Sequence, residues 1–257
     1  MKMILSENLQ KIRNFFELTY YEENASKEEV FNFLQEILKY IFNRNGINLA
    51  SYDIQIHFVS NNMLDDSEAR IFPDEKYLNK FDIIFNKKYQ SYKFKNQDDD
   101  SKFFSFVYYA FHEFSHLIQF IKNPEETRSI TEQHDNLNKS ITIIKRLMIN
   151  SKEKRLIIKS LKNHLNAIEF MDSVERDANQ QAYDYFISIL QQLIAVEYRE
   201  DFVDFLCSLY NFLEDIKKDN YAIYKKYGRI NQANLLRLSK TNWQDELNKI
   251  SEIVECD

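Results

Sequence analysis

Glycine and proline are nearly missing from this chain, with two of each in 257 residues. Turn-rich β-sandwiches and barrels need such residues at their corners, and collagen-like or Pro/Gly-rich disordered chains need many more, so these architectures are excluded. What remains is a chain of long elements with few sharp turns. Cysteine is equally scarce. Cys207 and Cys256 stand far apart and share no metal-ligand spacing, which excludes a disulfide scaffold and a cysteine-based zinc site. They read as free thiols in a reducing compartment. No apolar run reaches the ~20 residues that span a bilayer. The opening MKMILSENLQKIRNFF carries charges within its apolar stretch, unlike a secretory signal, so a cytoplasmic location with no membrane partner is expected.

An excess of positive charge is also lacking. The net charge of −6 gives no general drive toward nucleic acid or anionic lipid. Two local clusters run against that balance. Asn86 to Asn96 interleaves four lysines with Tyr89, Tyr92 and Phe94, a pattern that could stack on single-stranded nucleic acid. The acidic run Asp98 to Asp100 follows at once, so a solvated hairpin or loop is the expectation. Tyr221 to Lys240 carries Lys225, Lys226, Arg229, Arg237 and Lys240, and reads as a solvated face. Nucleic acid is not the expected partner.

What the chain does have is a large apolar content, 44 %, with 21 Phe and 16 Tyr, enough for an ordered core. Apolar periodicity predicts helices over about 7–20 and 27–43, with Asn45-Gly46 ending the second. Tyr52 to Phe58 alternates strictly and predicts a half-buried strand with His57 on its exposed side; Phe81 to Phe85 is a second strand. After Pro124 the pattern is helical almost to the end, over about 125–149, 152–195, 200–218 and 231–254. The expected fold is α+β and mostly helical. A small sheet and a central helix precede an all-helical C-terminal half, in a single domain whose two parts are 1–124 and 125–257.

The chemistry concentrates in Phe103 to Ile121, FFSFVYYAFHEFSHLIQFI. Phe103, Phe106, Val107, Ala110, Phe114, Leu117 and Ile121 form an apolar stripe at helical spacing, and Asn123-Pro124 ends the run. Asp98 to Ser101 supply acidic and capping residues at its start. Ser105, Tyr108, Tyr109, His112, Ser115, His116 and Gln119 fall on another side, so a helix buried on one face and lining a cleft with the other is predicted. Within it lies His112-Glu113-Phe114-Ser115-His116. Residues four apart on a helix are about 40° apart in angle and one turn along the axis. His112 and His116 can therefore offer two imidazoles to one ion, and Glu113 flanks them as a base for a water held there.

A catalytic zinc usually takes three protein ligands and keeps one open position. Downstream, Glu175, Ala178, Asn179 and Ala182 share one helical face, the small residues allowing close approach, and Glu175 is the candidate third ligand. Asp177 points to the opposite side. Asp172 lies near the Glu175 face and could orient a histidine from behind. His164 lies about 16 Å from Glu175 along a continuous helix, too far to share the ion. His134 has no helical partner and reads as a surface residue.

HExxH followed by a helical ExxAN-x-x-A resembles the zincin metallopeptidases with a glutamate third ligand, and among them the ImmA/IrrE-type peptidases. The match rests on His112, Glu113 and His116, then on Glu175, Ala178, Asn179 and Ala182. It departs at Ser115, where the family usually has glycine, and in the long helical gap between the motifs. The resemblance implies a zincin-like fold, zinc bound by His112, His116 and Glu175, Glu113 as general base, and hydrolysis of a protein or peptide substrate such as a repressor or antitoxin. It also implies a strand ahead of the metal helix that borders the cleft and pairs with extended substrate, for which Phe81 to Phe85 is the candidate. The oxyanion needs a second donor; Tyr183, Tyr108 and Tyr109 are candidates between which spacing does not choose. The rival reading is a helical interaction or nucleic-acid-binding protein with an accidental HExxH. The distance from Glu175 to the two histidines separates them.

Overall fold

The second helix shows how local chemistry sets the frame. Ser26 caps it with both halves of a capping box: its Oγ accepts from Glu29 N at 3.3 Å, and Glu29 Oε2 accepts from Ser26 N at 2.7 Å. At the other end Gly46 takes φ +66°, a left-handed conformation that favours glycine. Ile47 N donates to Phe42 O and Gly46 N to Asn43 O, which closes the helix in a Schellman motif. One of the chain's two glycines is spent here.

The computed structural model describes residues 5–22, 24–60, 68–74, 76–93, 97–128 and 173–227. In order these form α1 (Glu7–Glu22), β1 (Asn24–Ala25), α2 (Lys27–Arg44), β2 (Asp53–Val59), β3 (Ala69–Pro73), β4 (Lys80–Asn86), β5 (Tyr92–Lys93), α3 (Gln97–Lys122), α4 (Ser173–Val196) and α5 (Glu200–Tyr227). The fold is mostly helical α+β with a small mixed sheet, and α4 and α5 make the described C-terminal part all-helical. Two compact units are present, residues 1–122 with 177–218, and residues 123–176 with 219–257. Most of α4 and most of α5 fall in the first unit. The expected helices over 125–149 and 231–254, and residues Asp172, His164, His134 and Cys256, lie largely or wholly outside the described residues.

The three-stranded sheet has the order β2-β4-β3, with β2 parallel and β3 antiparallel to β4. Alternation sorts its faces. Phe81, Ile83 and Phe85 of β4, with Ala69 and Ile71 of β3, turn into the core. His57 and Asp82 pair on the outer face at 3.1 Å, both nearly half exposed. Strand β4 is therefore central, with both of its edges hydrogen-bonded to neighbours. This corrects the expectation that Phe81 to Phe85 pairs with substrate: among the described residues the sheet edges are β2 and β3.

Helix α3 is the hub. Its expected stripe is buried as far as Leu117, with Phe103, Phe106, Val107, Ala110, Phe114 and Leu117 inaccessible to solvent and Ile121 half-buried. Phe106 and Phe114 set their rings against Phe85 of the sheet at 5.9 and 6.2 Å, and Phe103 meets Phe15 and Phe16 of α1. The opposite side is buried too. Phe104 faces Phe205 and Phe212 of α5, and Phe111 stacks on Phe186 of α4 at 5.1 Å. Ser105, Tyr109, His112 and Gln119 keep the half-buried, more polar face that the sequence reading expects, and Phe104, Phe111 and Ile118, seven apart, add a second apolar stripe that a single-face count passes over. The helix also begins at Gln97, so Asp98 to Ser101 lie inside its first turns rather than before it.

Tyr89 is buried against Phe106 with ring centroids 5.3 Å apart, and Lys88 pairs with Glu68 at 2.6 Å. Tyr92 and Lys93 form β5, which pairs with β1 rather than closing a hairpin on β4.

Candidate metal centre

Helix α3 presents His112 and His116 one turn apart, as their spacing requires. Their Nε2 atoms lie 3.0 Å from each other. Helix α4 runs unbroken from Ser173, so Glu175 stands in its first turn, on the same rod as Ala178 and Ala182. Both alanines are fully buried, while Asp177 is exposed, as the angular count along the helix implies. His112, His116 and Glu175 bring one ligand atom each to within 4.8 Å of one another. His116 is buried, and His112 and Glu175 are half-buried.

The donor set fits a small divalent ion. Two ligand atoms on a tetrahedral zinc, at bond lengths of about 2.0–2.2 Å, are about 3.3 Å apart. The histidine pair is already near that spacing. The widest gap exceeds it by at most about 1.5 Å, within the swing of a glutamate side chain. Two neutral imidazoles and one carboxylate leave a +1 centre, the charge type of catalytic rather than closed structural sites.

Both histidines have a neighbour on α3 behind them. Gln119, one turn beyond His116, places Oε1 2.9 Å from His116 Nδ1. An acceptor there keeps the ring hydrogen on Nδ1 and the lone pair of Nε2 turned toward His112 and the ion position. Tyr108, one turn before His112, lies against its ring at 6.3 Å with 29° between the planes. The Tyr108 hydroxyl donates to Asn179 Oδ1 at 2.7 Å. Ser115, buried where a glycine was the resembled residue, donates its hydroxyl to Phe111 O at 2.7 Å and so satisfies itself within the helix. Sequence reasoning passed over Gln119, although its position three residues after a ligand histidine was a usable signal.

The three tyrosines separate. Tyr183 lies about 12 Å along α4 from Glu175, and its hydroxyl donates to Glu214 of α5. Burial, then that hydrogen bond and the charge of Glu214, push the Tyr183 phenol far above its ordinary range. Tyr108 is committed to Asn179. Tyr109 is half-buried one turn before Glu113, and its phenol is raised by burial first, then by the negative charges of Glu68 and Glu113. Glu113 itself is buried, 8 % exposed, beside the ligand pair.

Among the described residues, no helix is long and apolar enough to cross a membrane. Compared with protein-family models, with curated proteins and with solved structures, the chain matches none. What stands is a candidate His-His-Glu metal site on two helices.

Proposed function

We propose that this chain is a zinc-dependent metallopeptidase that hydrolyses peptide bonds of a protein substrate. The observation that carries the reading is the convergence of Glu175 on His112 and His116, residues from separate motifs 59 positions apart that have no reason to meet in an accidental match. Bound there, zinc would supply Lewis-acid polarisation of the scissile carbonyl and acidify a water. Glu113, next to His112 and shielded from bulk solvent, takes the proton of the attacking water and returns it to the leaving amine. Tyr109, on the face of α3 one turn from Glu113, donates its hydroxyl to the developing oxyanion, since Tyr108 and Tyr183 are engaged elsewhere. Strand β3 is a sheet edge that lies against α3, and its outer edge receives the extended substrate by strand addition. A repressor or antitoxin is the protein substrate that the family resemblance favours.

The test joins metal content to turnover. Purified protein is expected to carry about one zinc per chain, lost in His112→Ala and Glu175→Ala. Glu113→Gln is expected to keep zinc and to cleave a peptide library at least about 100-fold more slowly. A Glu113→Gln protein that keeps zinc and cleaves at the wild-type rate sinks the assignment.

A further inference from the structure

We infer that Tyr108 and Asn179 form a clamp that sets the register between the two metal-bearing helices, making them positioning residues for His112 and Glu175; this rests on the metallopeptidase reading. Tyr108 stands four residues before His112 and Asn179 four residues after Glu175. Each therefore shares a helix face with a ligand, one turn away. The 2.7 Å hydrogen bond from the Tyr108 hydroxyl to Asn179 Oδ1 joins α3 to α4 at the level of the site. The same Tyr108 ring lies against the His112 imidazole. One side chain thus touches a ligand ring and holds the helix that carries the other ligand.

The division of labour follows from the forces. Phe111 and Phe186 stack at 5.1 Å with 21° between planes and are fully buried, so apolar packing sets how far apart α3 and α4 lie. Apolar contact is non-directional and tolerates sliding of one helix along the other. A hydrogen bond between a phenol and a carboxamide is directional and weakens steeply when displaced. Tyr108 is 6 % exposed, so water competes little for the bond. A metal site tolerates only a few tenths of an ångström in ligand distance, about 0.2 Å. The clamp supplies that precision where the phenylalanine pair does not. Gln119 serves His116 from within α3; the clamp serves the two ligands whose relative placement depends on a second helix.

Three variants test this: Tyr108→Phe, Asn179→Ala and the double variant. Zinc affinity is read by competition with a chromophoric chelator, the Co2+ form is read by its visible spectrum, and the melting temperature is read in excess chelator. Each single variant is expected to bind zinc about 10- to 100-fold more weakly, with an altered Co2+ spectrum and a chelated-state melting temperature near that of wild type. The double variant is expected to bind no more weakly than the worse single variant, because both remove one bond. Wild-type zinc affinity in both single variants, or losses that multiply in the double variant, overturn the clamp while leaving the metal site in place. A wild-type chain that takes up neither zinc nor Co2+ overturns the metallopeptidase reading and the clamp with it.

Discussion

His116 Nδ1 faces Gln119 Oε1 at 2.9 Å while its Nε2 faces His112 Nε2 at 3.0 Å. The first contact fixes the tautomer for the second. With an amide oxygen in front of Nδ1, that nitrogen carries the hydrogen, and Nε2 is left as the lone-pair donor a metal requires. His112 and His116 would hold a divalent ion through these two Nε2 atoms, in place of the hydrogen that His112 Nε2 otherwise shares with His116 Nε2.

Removing Gln119 should therefore weaken metal binding without unfolding the chain. Gln119→Leu is expected to lower zinc affinity about 10- to 100-fold, and Gln119→Glu, which keeps an acceptor, is expected to retain it. Chelator competition checks both, and affinity in every variant should fall as pH drops from about 8 to about 5, because protons compete for the same nitrogens.

The tyrosines give a separable pair of outcomes. Tyr109→Phe is expected to cut turnover by about 100-fold with little change in metal content. Tyr183→Phe is expected to leave turnover near wild type and to cost about 1 kcal/mol of stability, since it leaves the Glu214 carboxylate short of a donor. Steady-state kinetics alongside urea titration distinguishes them, and equal turnover losses would defeat the assignment.

A buried ion pair predicts the acid limb of stability. Glu197, at the end of α4, has a fully buried side chain held by Arg13 Nη2 at 2.5 Å and by Arg199 Nε at 3.1 Å; Arg199 also meets Glu17. Burial pushes the Glu197 carboxyl up, but Arg13 and the backbone N–H groups of Arg199 and Tyr198 outweigh it and hold the group below its ordinary 4.5. A carboxyl lowered on folding stabilises the fold above its unfolded value, and that contribution is lost as pH falls below 4.5 through the folded value. Arg13→Met should destabilise by about 3 kcal/mol. Glu197→Gln should flatten the loss of stability below pH 4.5, as measured by denaturant midpoints across pH.

The hub is the most sensitive part of the core. Phe106, inaccessible to solvent and set against Phe33, Phe85 and Tyr89, should cost about 3–5 kcal/mol when replaced by alanine. The same change at Phe72, an exposed residue of β3, should cost under about 0.5 kcal/mol. Chemical denaturation of both variants checks the contrast.

Local periodicity made much of this readable in advance. Periodicity placed α2 over about 27–43, and Asn45-Gly46 ends it where expected. The 59-residue jump from His116 to Glu175 was legible because both motifs keep a helical face, and a shared face survives any intervening sequence. Other features depended on partners that the chain does not place side by side. Strand β3, ARIFP, is short and ends in proline, so nothing local marked it as a strand, and its pairing with β4 decides which strand is central. The second stripe of α3 was hidden because a helix with two buried apolar stripes keeps only a narrow polar face and gives periodicity little contrast. Tyr183 seemed available from spacing alone; Glu214, on a different helix, accepts its hydrogen bond.

The two buried stripes of α3 have a bearing on descent. The residues that hold this helix in place are phenylalanines, and those that would do its chemistry contribute little to that packing. A lineage that ceased to need the metal could exchange His112 or Glu113 while its aromatic pattern at 103, 104, 106, 111 and 114 stayed under selection for folding alone. The phenylalanines would outlast the histidines, and a relative that had lost its metal would be traced through them.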